Sequence, residues 1–220
     1  MIPLKEYNNN LIRVFNEKWP DMAFLEMNIR LAVEKITERV KEGGKILVCG
    51  NGGSAADSEH IVGELLKEFY IKRPLESQLQ EDLKNAFREK GRYLGENLQG
   101  AIPAISLISQ TGFLTAYGND AASDLAFAQQ VHAYGTDKDV LIGLSTSGDS
   151  RNVNYAAMVA KQKGTFVIAL TGETGGDLKI VSDILLNVPA KETYLVQEYH
   201  LPLYHLLCRA VEYEIFGETP

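Results

Sequence analysis

Short apolar runs of strand length return five times along this chain, at 45–50, 101–107, 139–145, 165–170 and 183–189. Each is followed by a segment long enough for a helix. Ile46-Leu47-Val48-Cys49 and Phe166-Val167-Ile168-Ala169-Leu170 hold no polar residue, so strands there are covered on both faces. Buried strands alternating with helices build a parallel sheet between two helical layers. The expectation is an α/β three-layer sandwich with a five-stranded parallel sheet flanked by helices. At 220 residues the chain can bury one sizeable core, so a single domain over 1–220 is expected.

Two parts lie outside this rhythm. Residues 1–43 read as N-terminal helices, the first with Leu11, Val14 and Phe15 on one face. After Pro20, the second runs over 22–40, with Leu25, Ile29, Val33, Ile36 and Val40 at helical spacing. Residues 74–100 are polar and charged, yet Leu75, Leu79, Leu83 and Phe87 recur every four residues. That spacing predicts a helical insertion between the first helix of the sheet region (54–70) and the second strand. The remaining helices are expected at 121–133, 151–163, 176–182 and 193–216.

Ligands of open parallel sheets bind at the carboxyl ends of the strands. Two loops there carry chemistry. After the third strand comes Ser145-Thr146-Ser147-Gly148-Asp149-Ser150, a run of hydroxyls and a glycine opening a helix. Backbone N–H groups, side-chain hydroxyls and the helix dipole together suit a phosphate. No lysine follows the glycine, so this is not a nucleotide P-loop, and neutral donors would hold the anion. After the first strand comes Gly50-Asn51-Gly52-Gly53-Ser54-Ala55, a formal match to the relaxed dinucleotide fingerprint. The second strand ends in Ser106, Ile108 and Ser109 without the acidic residue that would hold a ribose, so no nucleotide cofactor is expected. A tight turn presenting Asn51 and Ser54 to a ligand explains the same residues.

His60 and Glu64 share a face of the helix leaving that turn, four residues apart. Such a pair can hold a metal, place a carboxylate as general base, or stand as a solvated surface pair. In the last helix, Gln197 and His205 lie about 80° apart on the helical wheel and His200 and His205 about 140° apart. Gln197 with His205 is therefore the compatible pair, and His200 reads as a packing or interface residue. Gly118-Asn119-Asp120 reads as a turn, with Asp120 capping a helix from Ala121.

The net charge of −7 gives no basic stripe for nucleic acid. No apolar stretch approaches a membrane span and the N-terminus has no signal pattern, so a cytoplasmic protein is expected. Cys49 and Cys208 lie far apart in apolar segments and read as buried thiols.

Taken together, these segments resemble the sugar-isomerase (SIS) domain family and, within it, the phosphoheptose isomerases. The matching pieces are Cys49-Gly50-Asn51-Gly52-Gly53-Ser54, His60-x-x-x-Glu64-Leu65, Gly118-Asn119-Asp120, Leu144 to Ser150 with Asn152-Val153, Leu170-Thr171-Gly172, and Gln197-Glu198-x-His200 with His205. They run in order from the first strand to the last helix. The resemblance implies an aldose–ketose isomerase acting on sedoheptulose 7-phosphate through a cis-enediol, with Glu64 as base and His205 as acid. It implies Ser54, Ser145, Thr146, Ser147 and Ser150 as the phosphate cup, in the setting of Gly52 and Gly53. Asn51, Asn119, Asp120 and Gln197 would be sugar contacts. Some members bind zinc at the positions of His60, Glu64, Gln197 and His205, and members are homotetramers. A non-catalytic SIS module, or an isomerase of another sugar phosphate, remains the alternative. Asp149 stands where the family more commonly has Asn and would put a carboxylate beside the cup.

Overall fold

The computed structural model describes residues 4–217. Five strands, β1 (Ile46–Cys49), β2 (Ala104–Ser106), β3 (Val140–Ser145), β4 (Phe166–Thr171) and β5 (Ile184–Asn187), pair in parallel in the order β2-β1-β3-β4-β5. Register is fixed by pairs such as Val48 with Ile142 and Ile142 with Ile168. Alternate side chains serve opposite faces. Ile46, Val48, Ile142 and Leu144 join one apolar cluster, and Leu47, Cys49, Leu141, Val167 and Ala169 the other. The three-layer expectation holds.

The first face is covered by α1 (Leu4–Lys18), α2 (Glu26–Lys41), α3 (Gly53–Leu66) and the C-terminal helix, Thr193–Phe216. Ile12 and Phe15 are the buried apolar residues among the described side chains of α1, with Asn8 also buried, whereas Val14 is 47 % exposed. The stripe of α1 is thus turned by about one residue from the expected face. A 3-10 segment, Pro20–Leu25, precedes α2 because proline fits a first helical turn.

The insertion at 74–100 is a hairpin of two helices, α4 (Ser77–Phe87) and α5 (Glu89–Asn97). Its base is closed by an antiparallel bridge between Pro74 and Gln99. The helical expectation is right, but the apolar spacing marks no core face: α4 buries no residue, and Phe87 is 60 % exposed. The pair is held by backbone proximity instead. A Cβ on Gly91 would fall 1.8 Å from the carbonyl oxygen of Leu83, and one on Gly95 3.2 Å from the Cα of Gln80. Two glycines one turn apart let the helices cross closely.

A second difference lies at 111–134. Residues Thr111–Asp120 form α6, a 3-10 turn spans Ser123–Leu125, and α7 is Ala126–Tyr134. The expected helix over 121–133 therefore begins later, and Asp120 ends a helix instead of capping the start of one. Phe113 and Tyr117, four apart and 5.2 Å between ring centroids, support α6 locally. No residue of α6 is buried, so it lacks the apolar stripe that reveals a helix in sequence. Beyond it, α8 (Arg151–Gln162) and the short α9 (Leu178–Val181) cover the second face with α7, and α10 is Thr193–Phe216. Cys49 and Cys208 are buried and free, and burial pushes both thiols up to about 12.

Candidate active site

The strand order places the site. From β1 the chain crosses to β2 on one side and returns to β3 on the other, so the ends of β1 and β3 are neighbours at the switch point. The loops after these strands are tied by a reciprocal amide pair. Asn51 Nδ2 donates to Asn152 Oδ1 at 2.9 Å, and Asn152 Nδ2 donates to Asn51 Oδ1 at 2.8 Å. Asn152, in the first turn of α8, is a site residue that sequence reasoning left without a role. Gly52 adopts φ +56, which favours glycine. Gly53 is bare for a different reason: a Cβ there would lie 2.4 Å from Nε2 of Gln197. The last helix therefore lays its glutamine amide on the N-terminus of α3.

The serine loop is ordered by its own hydroxyls. Buried Ser145 accepts from the backbone N–H of Gly148 at 3.1 Å and of Ser150 at 3.3 Å, and donates to Ser150 Oγ at 3.0 Å. Ser145 is thus the interior brace of the loop. Thr146 is half-buried and Ser147 exposed, and the Ser147 hydroxyl accepts the backbone N–H of Asp149 at 3.1 Å within the loop. Gly148 takes φ +78, and a Cβ there would meet the carbonyl oxygen of Gly175 at 2.1 Å. Asp149 turns away from the cup: its Oδ1 accepts the backbone N–H of Asp177 at 2.9 Å, at the start of α9. The expected carboxylate beside the phosphate is spent on the neighbouring loop.

Deeper along α3 lies a cluster of ionisable groups. His60 Nε2 is 3.3 Å from Glu64 Oε1 and 3.3 Å from His205 Nε2. Glu64 is the sheltered member, its side chain 14 % exposed against 41 % for His60, and Lys67 Nζ reaches its other oxygen at 3.2 Å. Burial, and then the neighbouring His60, hold His205 below the ordinary imidazole value, with Glu64 opposing. The ring of Phe69 packs 5.5 Å from that of His205. Tyr204 contributes its hydroxyl, 3.0 Å from His60 Nδ1 and 3.2 Å from Asp57 Oδ1. Neither Tyr204 nor Asp57 was visible as a candidate in the sequence, although Asp57 stands three residues before His60 and so on its side of the helix.

Behind the cluster sits a buried brace. Glu212, 1 % exposed, accepts the backbone N–H groups of Phe69, Tyr70 and Ile71 and binds Arg73 Nε at 2.7 Å. Arg73, also 1 % exposed, donates to the carbonyls of Leu65 at 2.7 Å and Glu64 at 3.1 Å. The last carbonyls of α3 are capped by a cation, as a helix C-terminus favours. This brace ends α3 at Leu66, earlier than the 54–70 expectation.

Other candidates are placed apart. Asn119 and Asp120 end α6, both exposed and bonded to each other at 2.8 Å. His200 is fully buried, with Nε2 3.3 Å from the carbonyl of Thr171, which is the packing role its wheel position suggested. Among the described residues, no group of three or more His, Cys, Asp or Glu side chains is arranged to hold a metal ion. No described helix is long and apolar enough to cross a membrane.

Comparison with known proteins gives a consistent picture. The SIS domain model matches residues 7–93 and 91–172. A phosphoheptose isomerase of Akkermansia muciniphila is 35 % identical over 214 residues, covering 97 % of this chain and 100 % of that protein. One of Burkholderia pseudomallei is 38 % identical over 190 residues, covering 86 % and 83 %. Among solved structures, the phosphoheptose isomerase of Francisella tularensis superposes with a TM-score of 0.72 at 31 % identity, over 96 % of this chain and 98 % of that one. That of Neisseria gonorrhoeae gives 0.68 at 34 % identity, over 92 % and 94 %.

Proposed function

The chain belongs to the SIS-domain family and, within it, to the phosphoheptose isomerases, and from that premise we propose that it converts sedoheptulose 7-phosphate to D-glycero-D-manno-heptose 7-phosphate through a cis-enediol. The observation that carries this reading is the Glu64–His60–His205 cluster, set along the helix that leaves the glycine turn. His60 is seven residues beyond Gly53, about 10 Å at 1.5 Å per residue. A ligand that reaches from the loops at the switch point to this cluster is extended, with its charged group remote from the reacting carbons.

The residues then divide the work. The phosphate docks on Thr146, Ser147, Ser150 and the free N–H groups opening α8, with Ser145 bracing the loop and Ser54 and the Gly52-Gly53 turn beside it. Asn51 and Gln197 contact the sugar hydroxyls; Asn119 and Asp120, which lie apart from this cluster, are assigned to the sugar by the family resemblance alone. Glu64 takes a proton from C1 of the ketose while the carbonyl oxygen at C2 gains one, giving the enediol. Return of a proton to C2, with loss of the O1 hydroxyl proton, completes the aldose, so no outside reactant is consumed. His205 is the group that gives and recovers the oxygen-bound proton. Held below the usual imidazole value, it acts as a neutral donor, a form suited to an enediol. Anchoring the phosphate supplies orientation to the far end of the molecule.

A divalent ion is part of this proposal. His60, Glu64, Gln197 and His205 would hold zinc, and when bound it would polarise the carbonyl as a Lewis acid. Its support is the donor chemistry and the two 3.3 Å separations at His60, the spacing of about 3.3 Å that ligands at 2.0–2.1 Å take on a tetrahedral ion. Elemental analysis of protein purified without a histidine tag tests it. We further propose a homotetramer, tested by solution mass, acting in the cytoplasm where sugar phosphates are made.

The deciding experiment follows sedoheptulose 7-phosphate by NMR with purified wild-type and Glu64→Gln protein. Wild type is expected to form the manno-heptose phosphate. Loss of the base should lower the rate by on the order of 10² to 10⁴ while phosphate-ester binding survives. A wild-type rate in Glu64→Gln removes Glu64 as the base, and no turnover of C5 to C7 sugar phosphates by wild type, with ligand still bound, favours a non-catalytic module.

A further inference from the structure

We propose that Tyr204 and Asp57 are positioning residues that hold His60 as its Nδ1–H tautomer, so that an unprotonated Nε2 faces Glu64 and His205. The Tyr204 hydroxyl has one hydrogen and two neighbours, Asp57 Oδ1 at 3.2 Å and His60 Nδ1 at 3.0 Å. An ionised carboxylate can only accept, whereas a phenol can donate once and accept as well. If the hydrogen goes to Asp57, the phenol oxygen must accept from His60, which puts the imidazole proton on Nδ1.

Two observations decide which neighbour receives that hydrogen. Asp57 Oδ2 is buried and finds no hydrogen-bond partner among the described residues, so the Tyr204 hydroxyl is the donor that its carboxylate depends on. Glu64, the competing carboxylate at the other end of His60, has the Lys67 ammonium on Oε2 at 3.2 Å and is less in need of a proton from His60. Tyr204 is 1 % exposed, which denies its hydroxyl an alternative in solvent. Its ring stands edge-on to both imidazoles, 5.4 Å from His60 and 5.0 Å from His205 between centroids. From the strand-facing side of α10 the buried Cys208 completes the surroundings.

Donation then runs one way. His205 Nε2–H gives to His60 Nε2, His60 Nδ1–H to the Tyr204 oxygen, and Tyr204 O–H to Asp57. Bonds aligned in this manner polarise one another. In the metal-free protein the relay leaves the His205 proton on Nε2, which must be given up for His205 to join a metal, and leaves His60 with the lone pair that a metal ligand needs. An outer oxygen partner fixing a histidine tautomer serves metal sites generally. The consequence for turnover rests on the isomerase reading; the tautomer itself does not.

The test uses full-length, chelator-treated protein labelled with ¹⁵N-histidine, in a long-range ¹⁵N–¹H correlation above the imidazole titration range. Four histidines are present, and His60→Gln assigns the resonance of interest. His60 is expected to be protonated at Nδ1 in wild type and to shift toward Nε2–H in Tyr204→Phe. The same variant, purified without chelator, should lose about 10- to 100-fold in kcat with little change in KM. An Nε2–H His60 in wild type overturns the proposal, and this outcome can be read even if Tyr204→Phe fails to fold. An unchanged tautomer in Tyr204→Phe also overturns it. A changed tautomer with unchanged kcat upholds the relay and counts against the isomerase roles given to His60 and His205.

Discussion

Replacing Glu212 by Gln probes the brace that fixes the end of α3 beneath the cluster. The substitution keeps shape and removes charge. Each carboxylate oxygen is engaged: Oε1 takes the N–H of Phe69 at 2.8 Å and Arg73 Nε at 2.7 Å, and Oε2 takes Tyr70 at 2.9 Å and Ile71 at 3.3 Å. The amide nitrogen of glutamine must face one of these donor pairs and cannot accept from it. Arg73 is left as a buried cation without its counter-ion. Removing one partner of a buried pair costs about 3–5 kcal/mol, a large share of the roughly 5–15 kcal/mol that a domain has. Urea unfolding followed by circular dichroism should show that loss as a lower midpoint at constant slope. Turnover of the folded enzyme should fall as well, since Arg73 also caps the carbonyls of Glu64 and Leu65. The double variant Arg73→Met/Glu212→Gln should recover part of the loss, because no charge then remains buried; the three loop N–H groups stay poorly satisfied. A single-variant loss below about 1 kcal/mol, or strictly additive losses in the cycle, would refute the brace.

Two further predictions follow from buried positions. Burial lowers the pKa of His200 from 6.5 to about 4, and its Nδ1 has no acceptor among the described residues to take a second proton. Between those values the unfolded chain binds a proton that the native one does not, so stability is full above pH 6.5 and declines as pH falls toward 4. The decline is on the order of 3 kcal/mol. Denaturant titrations of wild type and His200→Gln across that window should show a shallower acid slope in the variant; equal slopes would sink the attribution. Gly148→Ala places a methyl group 2.1 Å from the carbonyl oxygen of Gly175 at φ +78. It should raise KM for the sugar phosphate and cost about 1–3 kcal/mol of stability from the strained backbone alone, read by kinetics and thermal unfolding; a wild-type KM would contradict the assigned phosphate loop.

The fold was legible because its strands are buried on both sides and so are apolar without interruption. Ile46 to Cys49 and Phe166 to Leu170 needed no tertiary information. Where an element buries little, the pattern fades: α6 has no buried residue and its Gly118-Asn119-Asp120 end read as a turn. The spacing of leucines in the insertion called for a helix correctly, but the reason for the hairpin lies in Gly91 and Gly95, whose missing side chains have no periodicity to announce them. Of the candidate site, the glycine turn, the serine loop, His60/Glu64 and Gln197/His205 could be named from residue type, helical spacing and resemblance.

Local sequence therefore determined the strands, the helix faces and the residues competent for chemistry, because those depend on neighbours one to four positions away. Only the tertiary structure decided how they are used. Chain crossing at the switch point joined Asn51 to Asn152 across about a hundred residues and turned Asp149 toward α9 instead of the proposed phosphate site. Packing of α10 on α3 brought Tyr204 to His60 and Asp57, and brought Glu212 to Arg73, which caps the carbonyl of Glu64. Hydrogen bonds act over about 3 Å, and partners so distant in sequence reach that range only once the sheet and its two helical layers have assembled.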